Sequence, residues 1–174
     1  MNVIISVNPP YSKMIFTKYK PFDFRKKVLK GMDTGYPLED ILAYIYETKN
    51  KGGSGKVIGE VTVSGAYCLH YWNKMYPDSA LIKQRFFFMK ETYLHWCSLK
   101  GITPNLNEGW FKSKKFNAYL KEIGFFDNND SLNCNYALIL DDPILYDEAK
   151  PLTAFRTLKG IPITRPPQNM YRVQ

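Results

Sequence analysis

The feature that most constrains the fold is a change of hydrophobic period along the chain. From Pro77 to Gly101, and again over 108–123, apolar residues recur every three or four positions, which predicts two helices. Before and after them lie short runs rich in β-branched and aromatic residues, which predict strands at 3–7, 22–28, 41–46, 57–63, 135–140 and 170–173. This order predicts one α+β domain over 1–174, a mostly β barrel with flanking helices and a helical insertion at about 71–132.

A short helix is predicted directly after the first strand. Asn8 is followed by two prolines, and asparagine at the N-cap with proline in the first turn is typical of a helix start. The helix is expected to run for two or three turns from Tyr11 and to end before Pro21.

The charge of the chain is distributed unevenly. Lysine and arginine number 24 against 16 aspartates and glutamates, a net charge of +8, and residues 1–30 alone hold seven basic residues against Asp23. The stretch from Glu122 to Ala149 holds seven acids and no basic residue. One face is therefore expected to suit a polyanion, and the 16% aromatic content offers stacking surfaces for bases. The alternative is a solvated lysine-rich surface over an aromatic core.

Several classes of protein are disfavoured by what the sequence lacks. No apolar run approaches the roughly 20 residues that cross a bilayer, and no signal peptide is evident, so we expect a cytoplasmic protein without membrane contact. Three scattered cysteines and two histidines predict no metal site. The glycines at 52–55 lack the lysine and hydroxyl ending of a phosphate-binding loop, and no cofactor is predicted.

Four features in order resemble the ASCH domain family, a branch of the PUA-like barrels, over roughly 3–68 and 135–173. The ASCH signature G-x-K-x-x-E-x-R matches Lys18 to Arg25, with Lys18 where glycine is usual and Asp23 where glutamate is usual. The other matching features are Ile5-Ser6-Val7-Asn8-Pro9-Pro10-Tyr11-Ser12, Ala43–Thr48 with Val57–Val61, and Arg165–Tyr171.

The resemblance implies a cleft between the first helix and the barrel that accepts RNA, another single-stranded nucleic acid, or a modified nucleobase or nucleoside. The residues expected to bind this ligand come from the matching segments and from nearby aromatics: Asn8, Tyr11, Ser12, Lys18, Lys20, Asp23, Arg25, Lys26, Lys27, Tyr46, Trp72, Gln168 and Asn169. On a strand, Asp23 and Arg25 point to the same face, so an ion pair between them is expected. Asp23 would then orient Arg25 toward phosphate or a base edge, unless the pair only satisfies itself at the barrel rim.

The resemblance also implies a hydrolase as an alternative. Some ASCH-like proteins resemble amidohydrolases of acylated cytidine that use a lysine, a threonine and a glutamate, and others resemble ribonucleases. Lys20 falls at the lysine position, Asp23 at the threonine position, and Glu60 or Glu91 is available as the glutamate. A lysine base would need its pKa lowered by burial or by nearby cations.

Two further interpretations concern the insertion and the histidines. The insertion at 71–132 is a candidate surface for a protein partner, with the barrel as scaffold. His95 lies in an apolar helical stretch and is expected to pack, whereas His70, among aromatic residues, is more open to an acid–base role.

Overall fold

The computed structural model describes residues 1–32, 41–69, 79–107, 109–126 and 134–174. His70 and Trp72, both considered above, lie outside the described residues.

Six strands form one mixed sheet. They are β1 (Asn2–Val7), β2 (Phe22–Arg25), β3 (Ile41–Glu47), β4 (Val57–Cys68), β5 (Tyr136–Lys150) and β6 (Met170–Val173). Their order across the sheet is β2-β5-β4-β3-β1-β6; β1 and β3 are parallel and the other neighbours are antiparallel. The sheet is a half-barrel, and three α-helices accompany it within the described residues, which confirms the predicted α+β class.

The helices are α1 (Tyr11–Phe16), α2 (Ser79–Lys100) and α3 (Lys114–Glu122). The end of α2 is as predicted, since Gly101 adopts a left-handed φ of 62°. The predicted start of α3 at residue 108 is wrong. Ser113 caps the helix by accepting a hydrogen bond from the Phe116 N–H (3.4 Å), and Trp110–Lys112 forms a separate 3-10 turn.

The helix α1 is shorter than predicted because Lys18 adopts a left-handed φ of 57° and the chain turns there. The prediction that Asn8 caps this helix is also wrong. Pro10 occupies the cap position without a side-chain hydrogen bond. The Asn8 Oδ1 atom accepts a hydrogen bond from the Thr48 hydroxyl (2.5 Å), which ties the end of β1 to the residue after β3.

Strand β5 runs ten residues beyond the predicted end at Leu140. The sequence Asp141-Asp142-Pro143 concealed this extension, because acids and proline are depleted in strands. Asp142 takes a φ of 48°, and the β4–β5 register shifts beside it, so the strand continues through an irregularity. Its second half is largely exposed, which is why it lacks an apolar pattern.

The core lies on both faces of the sheet and under the insertion. On one face Ile15 of α1 packs with Ile5 and Ile45, and the opposite face buries Ile4 and Tyr46. The insertion helices pack against β2 and β5 in an aromatic cluster that includes Phe22, Phe88, Trp96, Phe116, Tyr119 and Phe125.

Other apolar side chains of the insertion lie outside this cluster. Those of Phe87, Leu99, Ile102, Leu106 and Phe111 are exposed, so a protein partner for the insertion stays a prediction. Among the described residues, no helix combines the length and apolarity needed to cross a membrane.

Candidate functional site

A small cavity of about 180 Å³ lies where α1 begins, β2 runs, and the chain turns after α3. Residues of all three elements line it, among them Tyr11, Lys20, Asp23, Phe24, Arg25 and Gly124. The residues from Lys20 to Arg25 stand within the signature segment, Tyr11 is the first residue of α1, and Gly124 belongs to the insertion. The insertion therefore completes a wall of the cavity.

Lys20 is the buried cation of the cavity, with a side chain only 3% exposed. Its Nζ donates a hydrogen bond to the Ile123 carbonyl (2.7 Å) and lies 4.0 Å from the centroid of the Phe24 ring and 5.1 Å from that of Tyr11. Burial lowers the pKa of Lys20 to about 8, although the charge of Asp23 acts to raise it. The Lys20 amine therefore loses its proton at a lower pH than an exposed lysine does.

Lys18 contributes its backbone to this arrangement. It stands where the ASCH signature usually has glycine, and its left-handed φ of 57° is a conformation that glycine adopts without strain. This turn redirects the chain from α1 so that Lys20 points inward. The Lys18 side chain is exposed and does not line the cavity, so the structure does not place it among the binding groups.

Asp23 and Arg25 form the ion pair expected from their spacing, with 2.5 Å between Nε and Oδ2. The rest of the guanidinium is held by the protein. Nη1 donates to the Asn169 Oδ1 (2.9 Å) and Nη2 donates to the Ser6 carbonyl (2.7 Å). Arg25 therefore joins β2 to β1 and to the residue before β6. Only the remaining edge of its guanidinium is available to a ligand, so Arg25 offers fewer donors than the sequence predicted.

A larger cleft of about 680 Å³ lies on the other side of Arg25 and shares Ser6 and Asn8 with the cavity. Of the predicted residues it contains Asn8, Arg25, Tyr46 and Gln168. Other polar residues that were not predicted from the sequence also line it: Thr48, Lys49, Asn50 and Thr164. The positions of Thr48, Lys49 and Asn50 could have been predicted, because these residues directly follow β3. The carboxyl ends of the parallel strands β1 and β3 lie together, so residues after β3 lie near Asn8.

Ser12 has a structural role that the sequence did not reveal. It is buried and its hydroxyl donates to the Glu47 Oε1 (2.7 Å), while the Ser54 N–H donates to Oε2 (2.8 Å). Although burial acts to raise it, these hydrogen bonds hold the pKa of Glu47 below its ordinary value. Glu47 is thus a buried carboxylate that fixes the glycine-rich loop to α1, and neither it nor Ser12 lines the cavity or the cleft.

Glu60 is not brought to Lys20 and Asp23, which corrects the proposed catalytic set. Its neighbours on β4, Gly59 and Val61, are buried, and Glu60 points to the other face because side chains alternate along a strand. There its carboxylate accepts a hydrogen bond from the Tyr146 hydroxyl. The other candidate, Glu91, accepts one from the Tyr67 hydroxyl (2.8 Å) and is likewise absent from the cavity.

The remaining predicted residues lie at the margin of the site. Lys26 and Lys27 are exposed and line neither concavity, and their carbonyls accept hydrogen bonds from Asn135 and Asn169. Asn169 thus bridges Arg25 and the segment after β2. These contacts hold the edge of the half-barrel together.

His95 packs against the turn that carries Lys20. Burial lowers its pKa, and hydrogen bonding to the backbone at Lys18 and Tyr19 acts in the opposite direction. Within the described ranges, no three histidine, cysteine, aspartate or glutamate residues cluster as a set of metal ligands.

Gly124→Ala is expected to cost about 1–2 kcal/mol of stability and to weaken ligand binding in the cavity. Gly124 has a φ of 83°, and an added Cβ would lie 3.1 Å from the Tyr11 ring, which must shift into the cavity or away from it. Gly101→Ala is the matched control, since it has a φ of 62° and nothing within 4 Å. Thermal unfolding should show a similar loss of stability for both variants. Titration with nucleosides, the ligands that the resemblance implies, should show weaker binding for Gly124→Ala alone. Equal binding by the two would contradict the role of Gly124.

Comparisons with known proteins give structural likeness alone. No family model and no curated protein matches the chain. The chain is similar to ASCH from Zymomonas mobilis at 15% identity and a TM-score of 0.42, covering 99% of this chain and 87% of that one. One mutant of that protein is 15% identical to this chain, with a TM-score of 0.45 and coverage of 99% of this chain and 88% of that one. A second mutant is 16% identical, with a TM-score of 0.42 and coverage of 99% of this chain and 90% of that one. These structures bear the name of the family whose motifs the sequence resembles, and at these values the likeness carries no conclusion about ligand or activity.

Proposed function

We propose that this protein binds RNA or another single-stranded nucleic acid, or a modified nucleobase or nucleoside, with the base in the small cavity. The observation that carries the proposal is the buried Lys20 amine beside the Asp23–Arg25 pair, inside a cavity with aromatic residues in its wall. A buried cation and a buried carboxylate offer a donor and an acceptor at close quarters, as the edge of a heteroaromatic base requires.

The aromatic groups of the cavity suit a flat ligand. Phe24 and Tyr11 both line it, and Lys20 lies over the faces of both rings. Stacking of a base on an aromatic side chain contributes about 1–3 kcal/mol and is largely independent of base identity. In the proposed complex, the rings provide affinity, while Lys20 and Asp23 select among bases.

The larger cleft suits the sugar and phosphate of the same ligand. Its lining combines hydroxyls and amides with one lysine: Asn8, Thr48, Lys49, Asn50, Thr164 and Gln168. Hydroxyls and amides can hydrogen-bond a ribose 2′-OH, which distinguishes RNA from DNA. The cleft adjoins the cavity at Arg25, so a nucleotide whose base enters the cavity can place its sugar in the cleft.

Lys20→Met is expected to reduce nucleoside affinity about 10–100-fold, the effect of losing one hydrogen bond to a charged group worth about 1.5–3 kcal/mol. Methionine keeps most of the volume of the side chain, so the cavity stays filled. Lys159→Met removes an exposed lysine that lines neither cavity nor cleft and serves as the control. Isothermal titration with a panel of nucleobases and nucleosides measures the effect. If the wild-type protein binds none of them, or if both variants bind like wild type, the cavity is not a base site.

The alternative is hydrolysis of a nucleoside amide or of RNA with Lys20 as the base. The observation in its favour is the burial of Lys20 in the cavity, which lowers the pKa of its amine to about 8 and brings the amine closer to acting as a base near neutrality. Against it, Asp23 is engaged by Arg25, and neither Glu60 nor Glu91 reaches the cavity. Incubation of the protein with acylated cytidine and with RNA, followed by chromatography, decides between binding and turnover. Intact substrates would rule out this alternative.

A further inference from the structure

We propose that the exposed lysine face of α3 binds the phosphate backbone of a single-stranded nucleic acid whose base occupies the cavity. This inference rests on the proposed function for the identity of the ligand, and it assigns to the insertion a role in binding. The surface concerned is a groove of about 480 Å³ lined by Lys114, Asn117, Ala118, Lys121 and Phe126, which we call the α3 groove.

The amphipathic pattern of α3 creates this surface. Phe116, Tyr119 and Leu120 are buried against the aromatic cluster, which fixes the orientation of the helix. Lys114 and Lys121 are seven residues apart, or about 10.5 Å along the axis at about 1.5 Å per residue, and so lie on the same face. That face is opposite the buried one, and both lysines are exposed.

The charge of α3 and of the turn before it favours a polyanion. From Gly109 to Glu122 the chain carries four lysines, Lys112, Lys114, Lys115 and Lys121, and a single acid, Glu122; the next acids in the sequence are Asp127 and Asp130. The Glu122 carboxylate accepts a hydrogen bond from the Tyr19 hydroxyl (2.7 Å). Asn117 adds an amide donor and Phe126 an aromatic edge to the groove. Lysines spaced along a groove with an aromatic at its end are the elements of a single-strand binding surface.

The α3 groove is connected to the cavity through one short segment. Ile123 and Gly124 line the cavity, while Lys121 before them and Phe126 after them line the groove. The Ile123 carbonyl also accepts the hydrogen bond from Lys20. In the proposed complex, a strand whose base is held near Lys20 and whose sugar lies in the cleft passes this turn, so that the phosphates of the next nucleotides reach α3. A nucleoside, which lacks phosphate, would not reach the groove.

The test is a fluorescence-anisotropy titration of a labelled single-stranded RNA and of a matched DNA at several salt concentrations. The double variant Lys114→Glu/Lys121→Glu is compared with the control Lys150→Glu/Lys159→Glu, which makes the same charge change at exposed lysines outside the α3 groove, the cavity and the cleft. Lys114→Gln/Lys121→Gln, which only neutralises the two charges, serves as a milder second variant. Nucleoside binding is measured in parallel on all proteins.

The α3 variant should lose affinity for the oligonucleotide on the order of tenfold at low salt. Its slope of log affinity against log salt should fall by about 1.4, since each single-strand phosphate contact contributes about 0.7. Nucleoside affinity should not change, and the glutamine variant should show a weaker form of the same effect. Equal losses in the α3 and control variants, or none in either, would overturn the inference.

The same data separate this inference from the proposed function. If oligonucleotide binding depends on α3 but no nucleoside binds, the base site fails and the phosphate surface stands. If nucleosides bind but the oligonucleotide binds no tighter than they do, the base site stands and the phosphate surface falls. If wild-type protein binds neither ligand, both fall.

Discussion

Arg25→Met is expected to lower the free energy of unfolding by about 3–5 kcal/mol, the usual cost of removing one partner from a buried ion pair. The Arg25 and Asp23 side chains are 11% and 7% exposed, so the variant leaves the Asp23 carboxylate buried without its cation. It also removes the hydrogen bonds to Ser6 and Asn169, which join β2 to the opposite edge of the half-barrel. Urea unfolding of the purified variant measures the loss.

Two variants test whether this loss comes from the buried pair. Arg172→Met removes an exposed arginine with a hydrogen bond to the Lys30 carbonyl (2.8 Å), and it should cost less than about 1 kcal/mol. Asp23→Leu/Arg25→Met removes both charges, and it should recover part of the loss because the Asp23 carboxylate is no longer left buried without Arg25. If Arg25→Met is no less stable than Arg172→Met, Arg25 does not hold the half-barrel together.

The position of Arg25 links stability to the proposed binding. Arg25 lines both the cavity and the cleft, and its contacts with Ser6 and Asn169 separate the two. The same guanidinium therefore closes the edge of the sheet and forms the wall that divides the two concavities. This double role explains why most of its donors are satisfied within the protein. In the proposed complex, recognition is left mainly to groups around it, with Lys20 on one side and Thr48 and Asn50 on the other.

Local patterns in the sequence predicted much of the fold. Strand β6 and the end of α2 at Gly101 were predicted because alternation and a glycine stop act over a few residues. The second half of β5 was missed because its stability comes from pairing with β4, a long-range interaction that leaves no apolar pattern in an exposed strand. The early end of α1 depends on the left-handed turn at Lys18, which no lysine propensity predicts.

The candidate site was predicted only where its residues lie close together in sequence. The ion pair of Asp23 and Arg25 follows from strand alternation. The burial of Lys20 could not be predicted, because the groups that enclose it include Ile123 and Gly124, about a hundred residues further along the chain. Glu60 was predicted at the site but does not lie there. Only its position on the paired strand β4 shows that its side chain faces away from Lys20.

The stability of the wild-type protein is expected to rise by about 3 kcal/mol relative to Lys20→Met between pH 8 and pH 10.5. Burial lowers the pKa of Lys20 from 10.5 to about 8 in the folded protein. Below pH 8 the amine is charged in both states, so the cost of burying the charge is fully present. Between the two pKa values the folded amine is neutral while the unfolded one still binds a proton, so stability increases with pH.

Urea unfolding of both proteins at intervals from pH 7 to pH 10.5 measures this difference. Lys20→Met lacks the titrating amine, so its own pH dependence contains every other group. Tyr19 and Tyr119, whose pKa values burial raises, disfavour the fold at high pH in both proteins and therefore cancel in the comparison. A difference that stays constant with pH would show that Lys20 titrates as an exposed lysine does. The Lys20 amine would then not be buried, and both the base site and the hydrolase alternative, which depend on its burial, would fail.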